Sequence, residues 1–352
     1  MIYSIQYLRA LAATAVVVMH VGYIFGCEWR PLAAGVDLFF LISGFIMWSV
    51  TAGKNMKFGT FLTHRLIKIV PLYWLFTVIF VIASEVSPGS FGNFLSTPLQ
   101  IVMSLLFIPY YGRNGDMEPA LGVGWTLNYE MFFYLIFALS LLVRERYRLP
   151  CILAALISFV LARELPFHNA PFGLFTSPML LEFAAGISIA AWYRSGRSLQ
   201  SGVDLLLIAL GIAGIALSFM APPEGGFARV VMWGLPAAVV LVGSLSYERN
   251  GSVRHIEFLK TLGDASYAIY LSHLITIGVC KYLFSKIGLE RWGVPLSQQL
   301  LLAAFTFLAS MAVGLLCYYV FDRPSHDFLR ERVSRVWKKR VVTSALLLPE
   351  ST

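Results

Sequence analysis

The chain has 352 residues, 58% hydrophobic and 13% charged, with a mean hydropathy of +0.73. Ordinary soluble domains are about 45–50% apolar and about 25% charged. A soluble fold is therefore excluded, as are collagenous, disordered and disulfide-stapled secreted chains. The formal charge of +8 invites a nucleic-acid partner, but Lys and Arg sit mostly in short loops between apolar segments. There they act as topology signals and contacts to anionic membrane lipids, and no nucleic acid is expected.

Apolar runs bounded by charge, proline or glycine predict about ten transmembrane helices, over 5–25, 33–51, 69–86, 123–143, 150–165, 176–193, 203–221, 227–246, 264–284 and 299–321. A bilayer crossing takes about 20 residues. The expected class is an all-α polytopic integral membrane protein, with a transmembrane domain over 1–325 and a basic cytoplasmic tail over 326–352. The segment 95–110 is short and closed by Pro109, which predicts a re-entrant or interfacial piece. The first apolar run carries Arg9 near its start and lacks a small-residue cleavage site, so a retained helix is expected. Cys27, Cys151, Cys280 and Cys317 are far apart and read as small hydrophobes, with no disulfide framework or metal site.

With the N-terminus inside, nineteen Lys and Arg fall in inner segments and seven in outer ones (Arg30, Arg113, Arg163, Arg229, Lys281, Lys286 and Arg291). The positive-inside rule then predicts both termini inside. The tail residues Trp337, Lys338, Lys339 and Arg340 suit an inner-leaflet anchor. The two halves lack the matched Gly/Pro-broken helices of an inverted-repeat transporter.

An ionisable side chain at membrane depth is costly and marks a candidate site. The candidates are Arg9, His20, Asp37, Glu130, Glu182 and His273. Arg9 and His20 are eleven residues apart and share a helix face, about 16 Å apart along it. Depth arithmetic sets His20, Glu130, Glu182 and Asp37 in the outer half, with His273 nearer mid-membrane on the face of Ser266 and Tyr270. Arg9, Arg65 and Lys68 form an inner cationic rim. An imidazole beside a carboxylate can take a proton from a hydroxyl nucleophile, and a cationic rim suits a phosphorylated donor. The alternatives are structural. His20, His273 and Glu182 could be interhelical contacts, Arg65 and Lys68 snorkelling residues, and Asp37 the neutraliser of Arg9 or another cation. No G-x-S-x-G, H-x-x-x-x-D, P-loop or H-E-x-x-H motif occurs.

Several strings fall in a telling order: YLRALAATAVVVMH with Arg9 and His20, GVDLFFLISGF from Gly35, HRLIKIVPLYW from His64, WTLNYEMFFYL from Trp125, ASYAIYLSH from Ala265, and FDRP from Phe321. Together they resemble the acyltransferase family 3 membrane proteins, over essentially the whole chain. The opening SIQYLRALAA is most similar to stand-alone members that decorate bacterial exopolysaccharide. The resemblance implies a ten-helix O-acyltransferase of the bacterial inner membrane. Such an enzyme moves an acyl group, usually acetyl, from cytoplasmic acyl-CoA to a hydroxyl of an extracytoplasmic glycan, exopolysaccharide or lipopolysaccharide.

On that resemblance Arg9 and His20 are essential, Arg65 and Lys68 match the family's basic pair, and Glu130 matches its acidic position. Joined to the chemistry above, His20 is the expected catalytic base, assisted by Glu130 or Asp37, with Arg9, Arg65 and Lys68 binding acyl-CoA. Lys68 stands where the family's basic pair has a second Arg, keeping the charge without the planar fork. Tyr73, Trp125, Asn128, Ser266, Tyr270 and His273 are further polar candidates. No permanently bound cofactor or metal is implied. The expected partners are acyl-CoA as donor, a carbohydrate or lipid-linked glycan as acceptor, and membrane lipids. Many relatives carry an extracytoplasmic hydrolase-like domain after the last helix, and none is expected from residues 322–352. A transporter or flippase for a surface glycan is the competing expectation.

Overall fold

The computed structural model describes residues 2–91, 97–112, 115, 117–289 and 295–346, with side chains as far as residue 335. Arg113, Asn114 and Arg291, and the side chains of Trp337, Lys338, Lys339 and Arg340, lie outside that description. Among the described residues every regular element is helical. The principal helices are α1 (Tyr3–Ile24), α2 (Ala34–Thr51), α3 (Phe58–Val86), α4 (Pro98–Leu105), α5 (Trp125–Ser140), α6 (Glu145–Leu161), α7 (Leu180–Arg194), α8 (Val203–Leu217), α9 (Leu235–Arg249), α10 (Glu257–Lys286), α11 (Leu296–Cys317) and α12 (Arg323–Leu346).

All ten predicted crossings are helical. Among the described residues, seven helical stretches are long and apolar enough to span a bilayer. The other three, α5, α6 and α8, have 16, 17 and 15 residues, short of the roughly 20 that a perpendicular crossing needs. Of the expected segment 95–110, the described residues 97–110 hold the eight-residue α4, capped by Thr97 and Gln100 in a capping box. Two π-helical turns interrupt the bundle: Val230–Gly234 leads into α9, and Tyr318–Asp322 joins α11 to α12. Helix thus continues through residue 325 and into the basic tail.

Close backbone approach holds the centre together. The helix pairs α2–α7, α8–α9, α1–α10 and α10–α11 pack most extensively. At the α2–α7 crossing a Cβ on Gly44 would lie 2.2 Å from the Phe183 carbonyl oxygen, and one on Gly186 2.0 Å from that of Leu41. Only glycine permits that approach, which suits a membrane, where packing rather than water expulsion drives association. Aromatic rings fill the space beside it, with Phe133 and Phe183 stacked at 4.3 Å and Phe61 and Phe137 at 5.1 Å between centroids. On the periphery, Leu205, Leu206, Leu210 and Ile212 of α8 and Leu300, Leu301, Phe305 and Leu308 of α11 are exposed. In water this would be an aggregating surface; on a membrane protein it is the lipid-facing one.

The register of α1 is pinned at its N-terminal end. Glu248 of α9 accepts hydrogen bonds from the Tyr3 and Ser4 amides, each at 2.8 Å, and from Ser4 Oγ. A carboxylate there answers the unpaired amides and the positive end of the helix dipole. Tyr7 Oη donates to the Arg254 carbonyl and accepts from the Ile256 amide, both at 2.7 Å. These ties set where Arg9 and His20 project.

Candidate active site

Ionisable groups at membrane depth fall into three groupings, not the outer cluster and inner rim expected from depth alone. The first surrounds a cavity of about 220 Å³ between α1, α2, α3, α5 and α10. Arg9, Arg65, Lys68, Glu130, Ser266 and Tyr270 all line it. Glu130 therefore joins the cations instead of His20. Its Oε1 accepts from Ser43 Oγ at 3.0 Å and from Tyr134 Oη at 2.5 Å. Tyr134 is one helical turn along α5, so the pair is an i, i+4 contact.

The three cations differ in how they are held. Lys68 Nζ donates to Asp322 Oδ2 at 2.7 Å and lies 5.5 Å from the centre of the Tyr267 ring. Asp322 belongs to the FDRP string and ends the π-helical turn. A single ammonium-to-carboxylate bond is a contact that a point charge can make, so Lys serves at this position without the planar fork of Arg. Arg9 is left with a 3.4 Å contact to Gln6, and Arg65 lies 5.9 Å from the Phe61 ring with its Nε unbonded. Among the described residues neither guanidinium has a carboxylate partner. Two arginines thus face one cavity without a direct ion pair, sharing it with the Glu130 carboxylate and with a buried serine hydroxyl, Ser266 Oγ, that lacks a hydrogen-bond partner among the described residues.

The second grouping is a histidine pair. His20 Nδ1 lies 3.3 Å from Nε2 of His273, with ring centroids 4.8 Å apart. Tyr23 meets the His20 ring edge-on at 6.0 Å. No carboxylate hydrogen-bonds to His20 among the described residues; its contacts are the Val16 carbonyl at 2.9 Å and His273. The expectation that Glu130 or Asp37 sits beside His20 is corrected on this point. Tyr270 connects the pair to the cavity. It lines the cavity and lies 5.9 Å from the His273 ring, with Oη 2.9 Å from the Val123 carbonyl oxygen and 3.0 Å from Thr126 Oγ1.

The third grouping takes Asp37. Arg229 grips it bidentately, Nε to Oδ1 at 3.0 Å and Nη2 to Oδ2 at 2.9 Å. Arg229 lies 5.4 Å from the Trp125 ring and 4.9 Å from that of Trp233, a cation–π bracket. Glu182 is buried in the same region, packed so close to Gly234 that a Cβ there would lie 2.6 Å from its Oε1. Asp37 therefore neutralises a cation, as one alternative allowed, but the cation is Arg229.

Among the remaining candidates, Tyr73 is fully buried, stacked on Phe107 at 4.8 Å and donating to the Ser104 carbonyl at 3.1 Å, a structural setting. Asn128 is buried with its Oδ1 unbonded and away from the cavity lining. Sequence reasoning missed Arg229, Asp322, Ser43 and Tyr134. Arg229 was hidden among the outer topology charges, although it closes the short helix Gly226–Arg229 at the edge of an apolar run. Asp322 and Tyr134 lay inside strings already noticed, and the FDRP aspartate could have been matched to Lys68 by charge.

A bundle of membrane-crossing helices with unpaired arginines facing an internal cavity and a histidine pair beside it describes a polytopic membrane enzyme. The chain belongs to the acyltransferase family whose model, described as "Acyltransferase domain", matches residues 2–319. It is an acyltransferase. It is 37% identical over 303 residues to the exopolysaccharide production protein ExoZ of Rhizobium meliloti (strain 1021), covering 83% of this chain and 89% of that protein. It is 27% identical over 276 residues to nodulation protein 10 of Rhizobium leguminosarum bv. viciae, covering 70% and 72% respectively. No solved structure matches the chain.

Proposed function

We propose that this protein is an O-acetyltransferase of the bacterial inner membrane, with both termini cytoplasmic. It takes acetyl from cytoplasmic acetyl-CoA and places it on a hydroxyl of an extracytoplasmic glycan, with exopolysaccharide first among candidates. The glycan assignment leans on the name of the ExoZ relative. The donor assignment rests on the cavity, where among the described residues Arg9 and Arg65 have no direct ion-pair partner and Lys68 stands beside them. Guanidinium groups left unpaired at membrane depth are costly, and an anionic ligand with phosphate oxygens would repay them by charge-assisted hydrogen bonds. The apolar cavity walls, including Phe39, Phe40, Ile42 and Ile46, suit the uncharged arm of the donor.

In this account Arg9, Arg65 and Lys68 hold the donor, and Tyr270 and Phe39 guide its acyl end towards the histidine pair. His20 takes the proton of the attacking hydroxyl as the oxygen–acyl bond forms and the carbon–sulfur bond breaks. The proton then passes to the departing thiolate, so that thioester and alcohol become ester and free thiol. Imidazole suits this near neutral pH. Acetyl-CoA binding to the purified protein in lipid nanodiscs tests the donor site. Arg65→Ala weakens binding about tenfold or more, as loss of a charged hydrogen bond should, while His20→Gln leaves it unchanged. Unchanged affinity in a folded Arg65→Ala protein would return Arg65 to the role of topology signal.

A further inference from the structure

Hydrogen-bond chemistry in the histidine pair decides which ring nitrogens carry protons. A backbone carbonyl oxygen only accepts. His273 Nδ1 lies 2.7 Å from the Tyr270 carbonyl oxygen, so it carries the hydrogen, and Nε2 of the neutral ring is a bare acceptor. That Nε2 faces His20 Nδ1 at 3.3 Å, and His20 Nδ1 also lies 2.9 Å from the Val16 carbonyl oxygen. Facing two acceptors, His20 Nδ1 must be the protonated nitrogen. The lone pair of His20 is then on Nε2, the atom turned away from both.

We propose that His273 is a positioning residue for acyl transfer: its Nε2 accepts from His20 Nδ1–H and so presents His20 Nε2 as the atom that receives the hydroxyl proton. The proposal rests on the reading of His20 as the base. His273 takes the place that a carboxylate holds beside the base histidine of many hydrolases. When His20 Nε2 takes the proton, the O–H bond of the acceptor breaks and its oxygen bonds to the acyl carbon. The imidazolium keeps its Nδ1–H on His273 Nε2 and the Val16 carbonyl until Nε2 releases its proton to the thiolate. A neutral imidazole serves here because it orients the base without placing a buried carboxylate at membrane depth, which is costly. The site for it is built: His273 and Ser272 are fully buried on α10, whose Gly263 lets α1 approach until a Cβ there would be 2.2 Å from the Gln6 carbonyl oxygen.

Two readouts on the full chain in lipid nanodiscs test this. The first compares His273→Leu with His273→Gln, using labelled acetyl-CoA as donor and base-deacylated exopolysaccharide as acceptor. His273→Leu, which keeps the volume but removes the acceptor atom, lowers kcat roughly tenfold or more with KM for acetyl-CoA unchanged. His273→Gln restores most of it, because the amide oxygen accepts from His20 Nδ1–H. Equal losses in both variants would make His273 a packing residue. The second readout is solid-state NMR of 15N-histidine-labelled protein, with His20 assigned from the resonances missing in His20→Gln. A protonated Nδ1 and bare Nε2 support the proposal; the opposite tautomer overturns it. The NMR arm needs no turnover. Wild-type turnover in His20→Gln would therefore sink the base reading alone, distinguishably from a failure at His273.

Discussion

A guanidinium gripped at two points by one carboxylate, as Arg229 is by Asp37, leaves an uncompensated charge when either partner is removed. Asp37 is fully buried, and the Arg229 side chain is 18% exposed. Breaking such a pair costs about 3–5 kcal/mol, so Asp37→Asn is expected to lower the detergent melting temperature sharply. Arg229→Met is worse, because it strands both Asp37 and the buried Glu182. A melting curve for either variant that superimposes on wild type would remove the pair from the fold's essential contacts. At this scale the sequence singled out candidate residues but not which of them meet. Arg9 and His20 were legible because eleven residues set them on one helix face, and Glu130 because a carboxylate in an apolar run is conspicuous. Their partners were not legible: His273 is 253 residues from His20, and Asp322 is 254 from Lys68. Depth along a helix gives one coordinate, while the direction a side chain faces depends on packing. Glu130 and His20 could share a depth and still face different neighbours.

Two helices that touch backbone to backbone tolerate no side chain between them. Gly186→Leu is expected to separate α2 from α7 and remove most folded protein from the membrane, since even a Cβ would lie 2.0 Å from the Leu41 carbonyl oxygen. Gly59→Ala, in α3 with nothing within 4 Å of its would-be Cβ, should be neutral or slightly stabilising. Fluorescence-detected gel filtration after heating separates the two, and equal stability would show that the crossing is not limiting. The helices themselves were readable from apolar runs, but not their ends. The third was expected from residue 69 and begins at Phe58, and the ninth, expected from 264, begins at Glu257. A hydrophobic window sees only the part that suits lipid, whereas the i to i+4 ladder continues into polar residues. Those extra turns carry Arg65 and Lys68, so the missed helix ends hold two of the proposed donor-binding residues. The π-helical turns left no periodic signature, yet they set Arg229 and Asp322, in keeping with their frequency at functional sites.

For the molecule as a whole, the charge distribution predicts which loops face the cytoplasm. In a background without the four native cysteines, Glu224→Cys should react with an impermeant thiol reagent in intact cells. Asn55→Cys and Arg146→Cys should react only after permeabilisation; all three positions are exposed. Labelling of Asn55→Cys in sealed cells would invert the orientation. Sidedness matters because the account needs the cationic cavity to receive a donor from one side and the histidine pair to meet an acceptor from the other. The most direct measurement of that claim uses proteoliposomes supplied with labelled acetyl-CoA and base-deacylated exopolysaccharide. The account predicts alkali-labile label on the glycan, matched by an equal amount of free CoA, and a loss of about 100-fold or more in His20→Gln. Glycan that stays unlabelled in the presence of folded protein, or label transferred as fast by His20→Gln as by wild type, would contradict it.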